Sequence, residues 1–160
     1  MGADALLRAA KVRGVMIATA ESCTGGMVAA AITDISGSSA IYDRGFVTYT
    51  NAAKMQMLGV QAATLDAHGA VSEQVAAEMA TGALRNSDAH IAVAVTGIAG
   101  PGGSAHKPEG RVCFGIATRQ GVHCETIDFG ARGRAHVRLA AKDHALHLLL
   151  TAVDSLAPRD

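Results

Sequence analysis

The residues best suited to chemistry lie in the octapeptide TAESCTGG at positions 19–26. Its serine, Ser22, follows an apolar stretch that predicts a strand, and a small-residue helix is predicted after the two glycines. This boundary places a hydroxyl beside the backbone N–H groups of a helix N-terminus, where an oxyanion can be bound. The pattern is typical of a serine amidase. It fits an ordinary strand-to-helix turn about equally well, because hydroxyl residues cap helices and glycines relax the backbone.

Two neighbours of Ser22 allow further roles within this turn. Cys23 is an alternative nucleophile, because a thiol at a helix N-terminus has a lowered pKa. Thr24 is suited to cap the following helix and to lend its N–H to the oxyanion. Gly25 and Gly26 complete the turn and supply further backbone donors.

A second pair of candidate residues, Tyr49 and Lys54, lies further along the chain. A short strand is predicted to end at Tyr49, Asn51 is a good helix cap, and Lys54 then falls in the first helical turn. The helix dipole at this end, and any burial, lower the pKa of the lysine. A neutral lysine can take a serine proton, and a nearby phenol can relay or orient it. Taken alone, the two residues are better explained as a solvated lysine and a packed tyrosine.

A glycine-rich segment, TGIAGPGGS at residues 96–104, follows a strand that reads as buried. It offers several backbone N–H groups, as an anion or nucleotide site needs, although a plain connecting loop is the simpler alternative. The segment lacks the Gly-Lys-Ser/Thr ending of a P-loop, and the residues after it predict a strand. A P-loop NTPase is therefore not expected.

The histidines do not predict a metal site. His144 and His147 have the i, i+3 spacing of one helix face, but no acidic or thiol third ligand lies at motif distance. We expect no metal and no cofactor.

Size and composition predict one domain over residues 1–160. The chain has 160 residues, of which 49% are hydrophobic, and this is enough for one good core. Lys plus Arg and Asp plus Glu both number 14, so no basic surface for nucleic acid is expected. The most basic stretch, residues 132–138, has enough charge for one phosphate. A homo-oligomer is compatible with these properties.

Cysteine usage and hydropathy bear on the compartment. Three widely spaced cysteines argue against a disulfide framework and agree with reduced thiols. No stretch reaches the roughly 20 apolar residues of a membrane span, and residues 1–10 do not resemble a signal peptide. We therefore expect a cytoplasmic protein without a membrane partner.

Apolar periodicity and turn residues predict an α/β layered sandwich, in which helices flank a mixed β-sheet. The last two strands are joined by a tight link and form a hairpin. The predicted helices are 3–13, 25–35, 52–58, 62–68, 72–85 with Ser72 as N-cap, and 134–153. The predicted strands are 15–20, 44–49, 90–96, 112–118 and 122–129.

Five long motifs occur in one order along the chain and resemble the CinA C-terminal domain family, the bacterial nicotinamide-nucleotide amidases. The resemblance covers roughly residues 5–153. Near the C-terminus the family pattern F-x-G-D-R-x-x-V-R appears as FGARGRAHVR, in which Arg134 and Arg138 match the paired arginines. The motifs are TAESCTGG (19–26), DISGSSAIYDRGFVTYTNAAKMQMLGV (34–60), HGAVSEQVAAEMATGA (68–83), TGIAGPGG (96–103) and KPEGRVCF (107–114).

The resemblance implies a metal-free amidase of pyridine nucleotide salvage in a stand-alone form. Such an enzyme converts nicotinamide mononucleotide (NMN) to nicotinic acid mononucleotide and ammonia through a serine acyl-enzyme. The family's Ser, Tyr and Lys fall on Ser22, Tyr49 and Lys54, which favours the serine over Cys23. The alternative is a non-catalytic nucleotide-binding or competence-associated interaction module. Substrate contacts are expected from Ser39, Thr96, Gly97 and Arg134.

Overall fold

The computed structural model describes residues 2–104 and 106–156. Its helices and strands follow the predicted order along the chain. The helices are α1 (Gly2–Arg13), α2 (Met27–Thr33), α3 (Asn51–Leu58), α4 (Ala62–His68), α5 (Glu73–Arg85) and α6 (Arg134–Ser155), with a 3-10 helix at Ser38–Ala40. The strands are β1 (Ile17–Glu21), β2 (Tyr42–Val47), β3 (Ile91–Gly97), β4 (Arg111–Thr118) and β5 (Gly121–Asp128).

The strands form one mixed sheet in the order β2-β1-β3-β4-β5. β1 is parallel to both β2 and β3, and the remaining pairs are antiparallel. The predicted α/β class, mixed sheet and terminal hairpin are confirmed. Because β1, β2 and β3 run in the same direction, their carboxyl ends meet at one edge of the sheet, where open α/β sheets bind ligands.

Alternating side chains divide the core into two layers, one on each face of the sheet. Isoleucines and valines of β1 and β3, such as Ile17 and Val93, pack with α1, α2 and α6. Alanines between them, such as Ala18 and Ala94, face α5 and the end of α3. The period of two in each strand therefore builds a three-layer sandwich, with a thick aliphatic layer and a thin alanine layer.

The thin layer lets α5 approach its neighbours closely. A methyl group at Gly82 of α5 would lie 1.9 Å from the carbonyl oxygen of Leu58, the last residue of α3. Similarly, a methyl at Gly115 of β4 would lie 2.7 Å from the carbonyl oxygen of Ala76 in α5. These two glycines fix the distance of α5 from the sheet and from α3.

Two local predictions around β2 differ from the structure. The strand covers residues 42–47 rather than 44–49, so Tyr49 lies in the connection after the strand. Thr50, not Asn51, is the N-cap of α3, since its side chain accepts a hydrogen bond from the amide of Ala53 at 3.1 Å. Both residue types cap helices well, and the strand end decides which one is used. Among the described residues, no helix combines the length and apolarity that crossing a membrane requires.

Candidate active site

A cleft of about 410 Å³ opens at the carboxyl ends of the parallel strands. Ser22 enters it from the end of β1, Tyr49 from the connection after β2, and Thr96 from the end of β3. Lys54 of α3 lines the same cleft. The strand arrangement thus brings together residues that are far apart in the sequence.

Ser22 and Lys54 are in direct contact below the surface. The distance between Lys54 Nζ and Ser22 Oγ is 2.9 Å, and the exposed fractions of the two residues are 1% and 7%, respectively. The same nitrogen donates to the carbonyl oxygens of Thr48 at 3.0 Å and Tyr49 at 3.2 Å. A neutral amine has two N–H groups for those carbonyls and one lone pair, which is then available to the serine hydroxyl.

Burial sets the protonation of this lysine. The loss of water around the ammonium group lowers the pKa of Lys54 from its ordinary value, while the nearby Cys23 acts in the opposite direction. The predicted direction agrees with the structure. Burial, the second of the two predicted causes, is the main one in the structure.

Cys23 differs from its prediction. Burial raises the pKa of its thiol to about 11, although Arg138 and Lys54 lower it. The predicted lowering is wrong because the thiol lies in the core layer with α2 and α6 and is 5% exposed. A protonated, buried thiol is a poor nucleophile at neutral pH.

The N-terminus of α2 is already occupied by a buried carboxylate. Glu21, which is 1% exposed, accepts hydrogen bonds from the amides of Val28 at 2.9 Å and Ala29 at 3.1 Å. These are amides of the first helical turn, and a carboxylate there is favoured by the helix dipole. An oxyanion that forms when Ser22 attacks a carbonyl group must therefore be bound by amides of the turn rather than by these two.

Thr24 does not cap α2, contrary to prediction. The N-cap is Gly26, whose φ of 106° lies in the left-handed region, and the cap makes no side-chain hydrogen bond. The Thr24 hydroxyl is buried and has no partner among the described residues. Thr24 cannot be the cap because the chain turns once more before the helix begins, and Glu21 takes over the capping role.

The turn itself offers free backbone donors next to Ser22. The amide of Gly25 donates to the carbonyl of Ser22 at 3.1 Å and closes the turn. Cys23 lines the cleft, and Thr24 next to it is fully buried. The amide of Thr24 makes no hydrogen bond to any part of the chain that the structure describes, and the amide of Cys23 interacts only with the thiol of its own residue. They are the candidates for an oxyanion hole.

The Tyr49 side chain is directed to Arg134 instead of to Lys54. Arg134 Nη2 donates to the phenol oxygen at 2.7 Å and Nη1 donates to the carbonyl of Gly100 at 2.9 Å. The tyrosine is 58% exposed, and its contact with the lysine is through the backbone carbonyl. Tyr49 and Arg134 therefore link the connection after β2 to the glycine-rich loop at the mouth of the cleft.

The other predicted substrate contacts divide into two groups. Thr96 and Gly97 line the cleft, and the Thr96 hydroxyl donates to the carbonyl of Ala70 at 2.8 Å. Ser39 is exposed on the 3-10 helix and is not among the residues that line the cleft. The structure therefore does not bring Ser39 together with the other candidates.

Two cations of this region were missed by the sequence interpretation of the site. Lys107 lines the cleft and donates to the carbonyls of His68, at 2.6 Å, and of Val71. These two contacts tie the residues just after the glycine-rich segment to the end of α4 and the segment that follows it. Arg138 donates through Nε to the carbonyl of Cys23 at 3.0 Å. Both residues lie in motifs of the family, but spacing along the chain gives no sign of partners that are backbone carbonyls.

His144 of α6 is held by neighbours in the fold. His144 forms a hydrogen bond with Glu125 of β5 and contacts the ring of Phe114, with 4.7 Å between ring centroids. No group of three His, Cys, Asp or Glu side chains that could hold a metal occurs within residues 2–104 and 106–156.

Comparison with known proteins places this architecture in one family. The family model described as CinA C-terminal domain matches residues 2–153. The chain is 53% identical over 143 residues to the nicotinamide-nucleotide amidohydrolase PncC of Escherichia coli (strain K12), covering 89% of this chain and 87% of that protein. It is also 51% identical to a CinA-like protein of Chlorobium phaeobacteroides (strain BS1). That match covers 89% of this chain but only 35% of the relative's length.

Solved structures give the same result. The competence/damage inducible protein CihA from Agrobacterium tumefaciens has a TM-score of 0.89 and 50% identity, covering 97% of both chains. The competence damage-inducible protein A (ComA) from Klebsiella pneumoniae has a TM-score of 0.93 and 38% identity, covering 98% of this chain and 97% of the other. Both comparisons thus cover nearly the whole chain.

Proposed function

The chain belongs to the CinA C-terminal domain family, and on that premise we propose that it is a nicotinamide-nucleotide amidase. It hydrolyses the carboxamide of NMN to nicotinic acid mononucleotide and ammonia. The identity with PncC over most of both chains supports this substrate. The observation that carries the proposal is the 2.9 Å contact between Lys54 Nζ and Ser22 Oγ in a cleft large enough for a small ligand.

Acylation begins with proton transfer between these two residues. The lone pair of neutral Lys54 takes the proton from Ser22 Oγ while the oxygen attacks the carboxamide carbon, and the carbonyl oxygen becomes an oxyanion. We assign the stabilisation of that charge to the amides of Cys23 and Thr24, and each such donor contributes roughly 3 kcal/mol in comparable sites. Lys54 then returns the proton to the departing nitrogen, the C–N bond breaks, and ammonia leaves an acyl-serine.

Deacylation uses the same groups in reverse order. Water attacks the ester carbon as Lys54 accepts one of its protons, and the second tetrahedral intermediate is bound by the same amides. Its collapse breaks the bond between the carbon and Ser22 Oγ, which regains the proton from Lys54. Every proton is thus accounted for by Ser22, Lys54 and water, so the chain needs no cofactor for this cycle.

The mouth of the cleft is suited to the phosphate end of the nucleotide. Arg134 and Lys107 place two cations beside the glycine-rich loop. A guanidinium can bind two phosphate oxygens at once, and the loop amides can add further donors. We assign the phosphate to Arg134 and the loop, with Thr96 and Gly97 closer to the reacting end. The free cysteines favour a reducing compartment, so we place the reaction in the cytoplasm.

An end-point assay of the purified chain tests the proposed function. We expect NMN to yield ammonia and nicotinic acid mononucleotide in equal amounts, measured by a coupled ammonia assay and by chromatography. A Ser22→Ala preparation, purified in parallel, controls for contaminating amidases. If NMN binds but neither product forms, the amidase proposal is wrong. The chain is then better described as a binding module, in line with the competence proteins among its structural neighbours.

A further inference from the structure

Arg138 contacts the turn that follows Ser22 without lining the cleft. Its Nε donates to the carbonyl of Cys23 at 3.0 Å, and its Nη2 lies 3.5 Å from the carbonyl of Thr24. It is partly buried on α6, one turn beyond Arg134. The two arginines thus act on different segments, because Arg134 contacts the glycine-rich loop and Tyr49.

The contact of Arg138 with a carbonyl also fixes the direction of an N–H group in the same peptide. The C=O and N–H of one trans peptide point in opposite directions. The carbonyl of Cys23 and the amide of Thr24 belong to the same peptide, so Arg138 fixes the direction of the Thr24 N–H. That N–H makes no hydrogen bond with any described residue, and it lies two residues after the Ser22 nucleophile.

The positive charge of Arg138 also polarises this peptide, in addition to orienting it. A guanidinium remains protonated at all working pH values, and a charge-assisted hydrogen bond to a carbonyl draws electron density from the peptide. Hydrogen bonds in such a chain polarise one another, so the N–H at the other end becomes a stronger donor. The effect is largest where an oxyanion forms away from bulk water.

The turn holds Arg138 in this place. Gly25 has a φ of 58°, and a methyl group there would lie 3.3 Å from Arg138 Nη2. The amide of Met27 also donates to the Thr24 carbonyl at 3.0 Å. The backbone of the turn is therefore fixed from both sides, by the start of α2 and by Arg138.

We propose that Arg138 is a positioning residue that orients and polarises the Thr24 amide as an oxyanion donor. This inference rests on the proposed amidase function and adds a residue that acts on the reaction through the backbone. Because Arg138 does not line the cleft, it assists the transition state while leaving the binding of NMN largely unchanged.

Steady-state kinetics with NMN test the inference through the separation of kcat from KM. Arg138→Met should lower kcat by about tenfold to a hundredfold, somewhat less than the loss of a whole oxyanion donor, with KM within about twofold of wild type. Arg138→Lys keeps a charged donor but loses the planar guanidinium, whose N–H groups reach two carbonyls at once. Its kcat should therefore fall between those of wild type and Arg138→Met. Arg132→Met removes an exposed arginine from the same stretch and should behave as wild type.

The values of kcat and KM of the Arg138 variants decide whether the proposal holds. A kcat for Arg138→Met within twofold of wild type overturns the proposal, and so does a raised KM at unchanged kcat, which would make Arg138 a substrate contact. If Arg138→Met does not fold, as judged by thermal unfolding, the decision rests on Arg138→Lys, where a kcat equal to wild type overturns it. Failure of the amidase proposal is recognised separately, because wild type and Arg132→Met would then both be inactive on NMN.

Discussion

At the scale of single residues, the proposed catalysis depends on a lysine that is buried next to a serine. Burial favours the neutral form of Lys54, and two backbone carbonyls occupy its N–H groups. The lone pair is then directed to Ser22. The same burial that makes a lysine costly for stability makes it useful as a base.

The activity should therefore rise with pH. Only the neutral form of Lys54 accepts the serine proton, and its pKa is lowered from 10.5. The value of kcat/KM for NMN, measured from pH 5.5 to 10, should increase and level off above an apparent pKa below 10.5. A profile that is flat, or that falls over this range, would contradict the role of Lys54 as base.

Lys54→Arg should be as inactive as Lys54→Ala. Arginine keeps the positive charge but cannot lose its proton near neutral pH, so it cannot act as a base. We expect both variants to lose at least about a hundredfold in kcat, as general-base catalysis contributes at least this much. If Lys54→Arg retained most of the wild-type rate, the lysine would act as a charge contact, and the Ser-Lys mechanism would be wrong.

Residue types and motifs predicted Ser22 and Lys54 as site residues, but they did not predict the hydrogen bonds that the residues around them make. The capping role of Glu21 depends on how many residues the chain spends in the turn before α2, which follows from the φ of Gly26. Arg138 and Lys107 contact backbone carbonyls of remote segments, and any residue type supplies a carbonyl. Such partners leave no pattern in the sequence.

At the scale of elements, α2 and α5 determine where the site residues lie. The short helix α2 begins directly after the turn that carries Ser22, and Glu21 holds its first amides. Helix α5 packs against α3, which carries Lys54. Catalytic geometry therefore depends on contacts outside the cleft.

Replacement of Glu21 should destabilise the protein through α2. Glu21→Leu fills a similar volume but leaves the amides of Val28 and Ala29 without an acceptor in a buried position. We expect the free energy of unfolding to fall by about 1–3 kcal/mol in urea titrations. Glu21→Gln keeps one acceptor oxygen and should lose less. Equal stability of wild type and Glu21→Leu would show that these two hydrogen bonds contribute little.

A methyl group at Gly82 should separate α5 from α3. The 1.9 Å distance to the carbonyl of Leu58 cannot be kept, and we expect Gly82→Ala to cost at least about 1–3 kcal/mol in the free energy of unfolding. Thr81→Ala, at an exposed position of the same helix, is the matched control and should change stability by less than about 0.5 kcal/mol. The account of close packing fails if the two variants are equally stable.

The elements themselves were largely predictable, and their ends less so. The apolar stretches in residues 15–20 and 90–96 indicated strands, and the second was expected to be buried. β2 was displaced by two residues in the prediction because residues 42–49 mix aromatic, charged and hydroxyl side chains that fit a strand in either register. Pairing with β1, from Ile17 with Tyr42 to Glu21 with Val47, settles its limits.

At the scale of the whole molecule, the site follows from strand direction. Three parallel strands end at one edge, where the turn after β1 supplies the nucleophile, helix α3 supplies the base, and the end of β3 forms part of the cleft wall. The fold class was predictable from the order of elements, whereas strand order and the depth of the cleft required the structure. The single domain over residues 1–160 and a homo-oligomer stay predictions.

Chelators should leave the activity unchanged, because Ser22, Lys54 and backbone amides fill every role in the proposed cycle. We expect the rate of ammonia release from NMN to be the same after dialysis against EDTA as before. A loss of rate that added zinc restores would contradict this and would direct attention to His144 and His147.

The central claim is that Ser22, and not the adjacent thiol, attacks the carboxamide. Ammonia release from NMN by Ser22→Ala, compared with Cys23→Ala, tests it most directly. We expect Ser22→Ala to lose at least about a thousandfold in kcat while still binding NMN in calorimetry, and Cys23→Ala to stay within about tenfold of wild type. If Ser22→Ala keeps near-wild-type turnover, or if it stays active while Cys23→Ala is inactive, Ser22 is not the nucleophile.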